Sequence, residues 1–184
     1  MGNILMLTMV LTFSEVAPPK TQDVFRCGPG NVQLSAKAGI GAKINWHASQ
    51  TGGALMFTGE NFTTPALTKT ATYWVSTTDT SGSSSSRIKV VAGIHEIPEL
   101  PTFVEKNLLV QPGQACTLSV TEKKDRNYKW YSTSIGGSIV FTGPSYSLTA
   151  KEPAKFFVTA TTPEGCISDR AMVQVQITQP VSNK

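Results

Sequence analysis

Histidine is nearly absent from this chain of 184 residues: only His47 and His95 occur. Proton transfer near neutral pH leans on that side chain more than on any other. His47 directly follows a tryptophan and His95 falls near mid-chain, so the two do not read as a catalytic pair. No Gly-x-Ser-x-Gly elbow, His-Glu-x-x-His pair or phosphate-binding loop is present. Charge is also scarce, at 15% of residues with a net of +4. The one dense basic run, Lys123-Lys124-Asp125-Arg126, is interrupted by an aspartate and reads as a hairpin tip; nucleic acid would need a basic stripe. Asp79, Asp125 and Asp169 fall at turns or strand ends, where an aspartate usually serves the turn. Calcium would want roughly six or more oxygens. Cysteines number three, and with two histidines their spacings match no zinc pattern. The expectation is a protein that is not an enzyme and holds no metal or cofactor.

No long apolar run is present either. Ile4 to Phe13 is too short to span a bilayer. It has the length of the apolar core of a secretory signal peptide, with small residues Ser14 and Ala17 following. No Lys or Arg precedes it and Glu15 sits awkwardly for cleavage, so a strand remnant of a preceding domain is the alternative. A membrane enters only through this leader.

What the chain does have, it has twice. Ile44-Asn45-Trp46, Gly52-Gly53, Phe57-Thr58-Gly59, Phe62-Thr63 and Thr72-Tyr73-Trp74-Val75 form one pass. Lys129-Trp130-Tyr131, Gly136-Gly137, Phe141-Thr142-Gly143, Tyr146-Ser147 and Lys155-Phe156-Phe157-Val158 form the second. The tryptophans Trp46 and Trp130 stand 84 residues apart, as do the Phe-Thr-Gly triplets. A repeat of this length means two copies of one small domain. Apolar residues alternate at Val32-Leu34-Ala36, Ile44-Trp46, Leu118-Val120, Tyr128-Trp130 and Val173-Val175-Ile177, the period of half-buried strands. Gly and Ser clusters interrupt them and no helical face is found, which predicts all-β sandwiches. The expected division is a leader and Pro linker over 1–23, a first domain over 24–95, a Pro-bracketed linker over 96–102, a second domain over 103–178 and a tail over 179–184. The two prolines near Ile97 make the second linker short and stiff.

The order of motifs carries a resemblance. Pro29-Gly30 or Pro112-Gly113 opens a strand ending Leu34-Ser35 or Leu118-Ser119. The tryptophan strand follows, then Gly-Gly, Phe-Thr-Gly, an aromatic, the aromatic pair with valine, and a last strand led by Arg87 or Arg170. Together with Arg26-Cys27-Gly28-Pro29-Gly30, this resembles the tandem immunoglobulin-like repeats of exported proteins from Bacteroidetes-type bacteria, over about residues 26–92 and 104–178. The resemblance implies two tandem immunoglobulin-like β-sandwiches, secreted or at the cell surface, used as spacers or adhesion modules. Partners would be neighbouring domains of a longer protein, surface proteins or glycans.

Within that frame the tryptophan plugs the core. Tyr73 has the register of a tyrosine corner, and Phe156 holds the place in the second copy. In such repeats a cysteine near the start often pairs with one in the last hairpin. Ser83 stands where Cys166 stands in the second copy, so Cys27 is expected to be unpaired. Two readings stay open for Cys116: a bridge to Cys166, or a small buried hydrophobe like Val32 in the first copy. With Trp46 and Val75 inward, His47 and Trp74 face outward, as do Tyr131 and Phe157. These four form an expected surface aromatic patch, able to stack on sugars or dock a protein, or merely to steady the sheet as cross-strand pairs. The leading functional expectation is a non-catalytic exported spacer or adhesion module; the alternative is a carbohydrate-binding accessory module.

Overall fold

The computed structural model describes residues 15–178. The apolar segment Ile4–Phe13, read above as an export leader, and the tail 179–184 lie outside the described residues. The chain divides into two units after Ile94. The first carries strands β1 (Lys20–Thr21), β2 (Val24–Cys27), β3 (Gln33–Lys37), β4 (Lys43–His47), β5 (Leu55–Thr58), β6 (Asn61–Thr63), β7 (Ala71–Thr78) and β8 (Ile88–His95). The second carries β9 (Asn107–Val110), β10 (Gln114–Ser119), β11 (Asn127–Tyr131), β12 (Ile139–Thr142), β13 (Ser145–Ala150), β14 (Ala154–Thr161) and β15 (Ala171–Ile177). No helix occurs among the described residues. Each unit is a sandwich of two sheets. The orders are β1-β3-β6 against β2-β8-β7-β4-β5 in the first, and β10-β13 against β12-β11-β14-β15-β9 in the second.

The alternating apolar residues face inward as their period requires. Val32, Leu34, Ala36, Ile44, Trp46, Phe62, Tyr73, Val75, Val90 and Ala92 make one core. Leu108, Leu118, Val120, Tyr128, Trp130, Ala150, Phe156, Val158, Ala160, Val173 and Val175 make the other. Both indoles are fully buried. A buried indole N–H needs an acceptor. Trp46 Nε1 donates to the carbonyl of Gly59 at 2.8 Å, and Trp130 Nε1 to that of Gly143 at 2.8 Å. Each glycine N–H in turn bonds back to the tryptophan's own strand, at Ile44 O and Tyr128 O. The repeated Phe-Thr-Gly triplet is explained by this geometry. Gly59 and Gly143 have φ of 144° and 134°, a region that favours glycine. A Cβ on Gly59 would lie 2.9 Å from the Phe57 ring, and one on Gly143 3.2 Å from the Phe141 ring.

A second shared device is an edge-on aromatic pair. Phe62 meets Tyr73 at 5.2 Å and 73°, and Tyr146 meets Phe156 at 5.4 Å and 75°. The tyrosine has changed partners between copies and the ring geometry has not. Tyr73 is therefore a packing residue; its hydroxyl makes no corner hydrogen bond among the described residues. In the second domain the hydroxyl that caps backbone is that of Tyr128, which accepts the N–H of Lys123 at 3.0 Å.

Residues 17–22 differ from expectation. They belong to the first sandwich rather than to a linker. Lys20 and Thr21 pair with Lys37 and Ala36. Thr77 Oγ1 donates to Ala17 O at 2.5 Å, and Pro19 is buried. Pro18 and Pro19 stand just before β1, where no ladder bond needs their missing N–H. The segment 96–102 likewise joins the second domain at its end. Pro101 is buried, and Thr102 O accepts the N–H of Thr121 at 2.7 Å.

The outer edges match too. β5 and β12 close their sheets with one side unpaired. All four residues of each, Leu-Met-Phe-Thr and Ile-Val-Phe-Thr, are exposed. In both, the register slips beside the tryptophan, between Trp46 and His47 and between Trp130 and Tyr131.

Trp130→Phe removes the donor and leaves the Gly143 carbonyl unpaired beside a partly emptied site, which should cost about 2–4 kcal/mol. Equilibrium unfolding in urea measures it. Gly59→Ala should be more damaging than Gly143→Ala in the same assay, because its added methyl meets the phenylalanine ring more closely.

Candidate functional site

The four residues expected on the surface do lie outside the cores, as two cross-strand pairs. His47 stands opposite Trp74 and Tyr131 opposite Phe157. Each pair continues onto the last strand, Trp74 to Lys89 and Phe157 to Met172. The outward row of the first domain is thus His47-Trp74-Lys89, and that of the second Tyr131-Phe157-Met172.

The rows are less open than the strand period suggests. His47 is only 8% exposed, which corrects its place in a surface patch. It is flanked by Trp74 on one side and Leu55 on the other. Its Nε2 lies 3.2 Å from Ser76 Oγ, and its Nδ1 has no hydrogen-bond partner among the described residues. Burial, with the Arg87 charge adding to it, lowers the His47 pKa below the ordinary histidine value. Trp74, Tyr131 and Phe157 are half-buried. The Arg170 guanidinium lies 3.6 Å from the centre of the Tyr131 ring, so one face of that ring is already occupied.

The arginine that leads the last strand and the Gly-Gly loop form one unit. Arg87 Nη1 donates to Ser49 O at 2.8 Å and to Gly52 O at 2.6 Å. Arg170 Nη1 donates to Thr133 O at 2.5 Å. Inside each loop Ser49 and Thr133 hydroxyls bond the Gly52 and Gly136 carbonyls. A serine then pins the last hairpin: Ser85 Oγ accepts the N–H of Thr77 at 3.0 Å, and Ser168 Oγ that of Ala160 at 2.9 Å. These clamps are what the repeated Gly-Gly, Arg and Ser encode. Sequence reasoning saw the repetition but not the contacts.

Asp79 serves its turn. Asp79 Oδ1 accepts the N–H groups of Ser81 and Ser83, both at 2.9 Å, and the Ser81 hydroxyl at 2.6 Å. That hydroxyl and the backbone donors hold its carboxyl below the usual range. Asp125 sits in the turn before β11 with φ of 56°. Among the described residues no three His, Cys, Asp or Glu side chains come together as a metal group.

The cysteines decide between two readings and correct one expectation. Cys116 is a free thiol, so the Cys116–Cys166 bridge is not formed. Cys116 lies within β10 opposite Leu148 and packs on the core. Cys166 lies in the hairpin between β14 and β15, on the other sheet, its N–H held by Thr162 Oγ1 at 3.2 Å. Burial raises the Cys116 thiol pKa, as for a small hydrophobe. Cys27, expected to be unpaired, is disulfide-bonded, as is Cys166. A disulfide suits an oxidising, extracytoplasmic compartment.

Two sandwiches, plugged by an indole on β4 and on β11 and each with a five-stranded sheet, define the immunoglobulin-like class. The family model for the Ig-like domain, CHU_C associated (Ig_7), matches twice, over residues 16–95 and 98–179, and the chain belongs to that family. Such immunoglobulin-like domains are typically non-catalytic. Among solved structures the chain is similar to the fibronectin(III)-like modules of Clostridium thermocellum CbhA. Identity there is 11%, over 90% of this chain and 97% of that one, with a TM-score of 0.51. It is also similar to three N-terminal domains of the outer capsid protein Hoc of bacteriophage RB49, with 13% identity, 89% and 59% coverage and a TM-score of 0.43. Chicken CNTN1 FN1–FN3 domains give 9% identity, 90% and 68% coverage and 0.48. At such identities the likeness to CbhA concerns the fold alone. No curated protein matches the chain.

Because folded His47 resists protonation and unfolded histidine does not, its contribution is full above about pH 6.5 and is lost as pH falls below that value. Urea unfolding between pH 7.5 and 5.5 should show this loss, and His47→Gln should flatten it. Arg170→Lys keeps the charge but not the planar stack or the fixed fork. It should lower the second domain's stability by about 1 kcal/mol, read from its unfolding midpoint.

Proposed function

We propose that the chain is a non-catalytic exported tandem module, a spacer that presents or links other domains at the cell surface, with adhesive contacts where its outer faces allow them. One observation carries the reading. The motifs common to both halves each serve the sandwich itself. The tryptophan and glycine close the core, the arginine and Gly-Gly clamp a loop, the serine pins a hairpin, and the edge-on aromatics pack between sheets. What the duplication preserves is therefore a shape. Repeating a shape is useful for length and presentation. The disulfide state of Cys27 and Cys166 supports export. Fold alone does not assign a ligand.

Antibody labelling of intact producing cells, with and without protease shaving, tests export: surface label removed by shaving is expected, and a purely cytoplasmic signal overturns the reading. On a glycan array the chain should give no specific signal, and Trp74→Ala should change neither that result nor the circular dichroism spectrum. A reproducible glycan signal abolished by Trp74→Ala or Phe157→Ala would replace the spacer by a carbohydrate-binding module.

A further inference from the structure

The second domain has an opening that its sheet-switching chain creates. Thr102 and Val104 bond to Thr121 and Ser119 at the margin of one sheet. A few residues later β9 pairs with β15 in the other sheet, beginning only at Asn107 opposite Gln174. The first residues of β15 are left without β9 beside them. The resulting cleft, about 480 Å³, has Leu100, Pro101, Phe103, Ala171 and Met172 as its apolar lining and Lys106 and Arg170 as its charges. No carboxylate lines it.

We propose that this cleft binds the carboxy-terminal end of an extended peptide whose last residue is apolar. Three observations converge. The charge is complementary: two cations stand over an apolar floor, and Arg170 is held in place by Thr133 O and the Tyr131 ring, leaving further N–H groups to donate. The floor is firm, since Phe103 packs on buried Trp130 with ring centroids 6.2 Å apart. The strand edge is available. Gln174 N–H points to the β9 side, where it meets Lys106 O at 3.1 Å. Alternate residues of a strand present their backbone groups to the same edge, so those of Met172 face the cleft. A peptide laid there gains main-chain pairing, a seat for its last side chain and two cations for its terminal carboxylate.

The probe is the acetylated peptide Gly-Val-Thr-Val-Leu with a free carboxylate, titrated into the full chain by calorimetry and by amide NMR. Binding is expected, with shifts at Phe103, Lys106 and Met172. The carboxy-terminal amide should bind at least about tenfold more weakly, and Lys106→Gln should weaken the free acid by about fivefold. Met172→Glu, on an exposed position, should abolish binding while tryptophan fluorescence shows the fold intact. Equal binding of acid and amide, no binding of the acid at millimolar concentration, or insensitivity to Lys106→Gln overturns the proposal. So does tighter binding of an oligogalacturonate at the same residues, which would make the cleft an acidic-glycan site.

Discussion

The bond from a buried indole N–H to a glycine carbonyl organises each half of this protein. The indole has to fill the space between two sheets, and its one polar atom has to be satisfied there. The acceptor must come from a backbone turn that approaches the tryptophan strand closely. Only a residue free to take positive φ turns the chain there, and the phenylalanine two residues earlier lies over the place a side chain would occupy. Core, turn and edge strand are thus set together. Moving the tryptophan would strand the carbonyl, and moving the glycine would strand the indole.

Around that bond the two copies trade side chains while keeping positions. The hydroxyl of the edge-on aromatic pair moves from Tyr73 to Tyr146. Ile44 becomes Tyr128, which gains a backbone cap, and His47 becomes Tyr131, which gains a stacked arginine. In the aromatic pair the exchange is tolerated because ring volume and placement, not the polar atom, decide how the sheets meet.

The all-β class, the duplication and the inward residues were legible from period-two patterning and from the 84-residue spacing of the tryptophans. The outward rows were half legible. Alternation shows which way His47 points, but not that Trp74 and Leu55 flank it closely enough to bury it; that depends on cross-strand register, which no local pattern encodes. The prolines at 18 and 19 misled for a related reason. They suggest a spacer, yet they stand immediately ahead of an edge strand, at positions where no ladder bond needs their missing N–H. The cysteines were hardest, since a spacing in sequence does not reveal which sheet a thiol faces. The cleft beside Phe103 had no sequence signal, being the gap left where a chain leaves one sheet for the other.

The exposed apolar strands β5 and β12 carry a further consequence. An uncharged, β-prone margin with one open side invites strands from other molecules. A protein displaying that margin twice, in a polypeptide where similar modules could crowd together, would risk zippering into fibres. The slipped register beside each tryptophan bends the margin and breaks its row of regularly spaced bonding groups. A kink of one residue, kept in both copies, lets sticky borders remain solitary, so that modules of this kind can be strung in series without knitting into a common fabric.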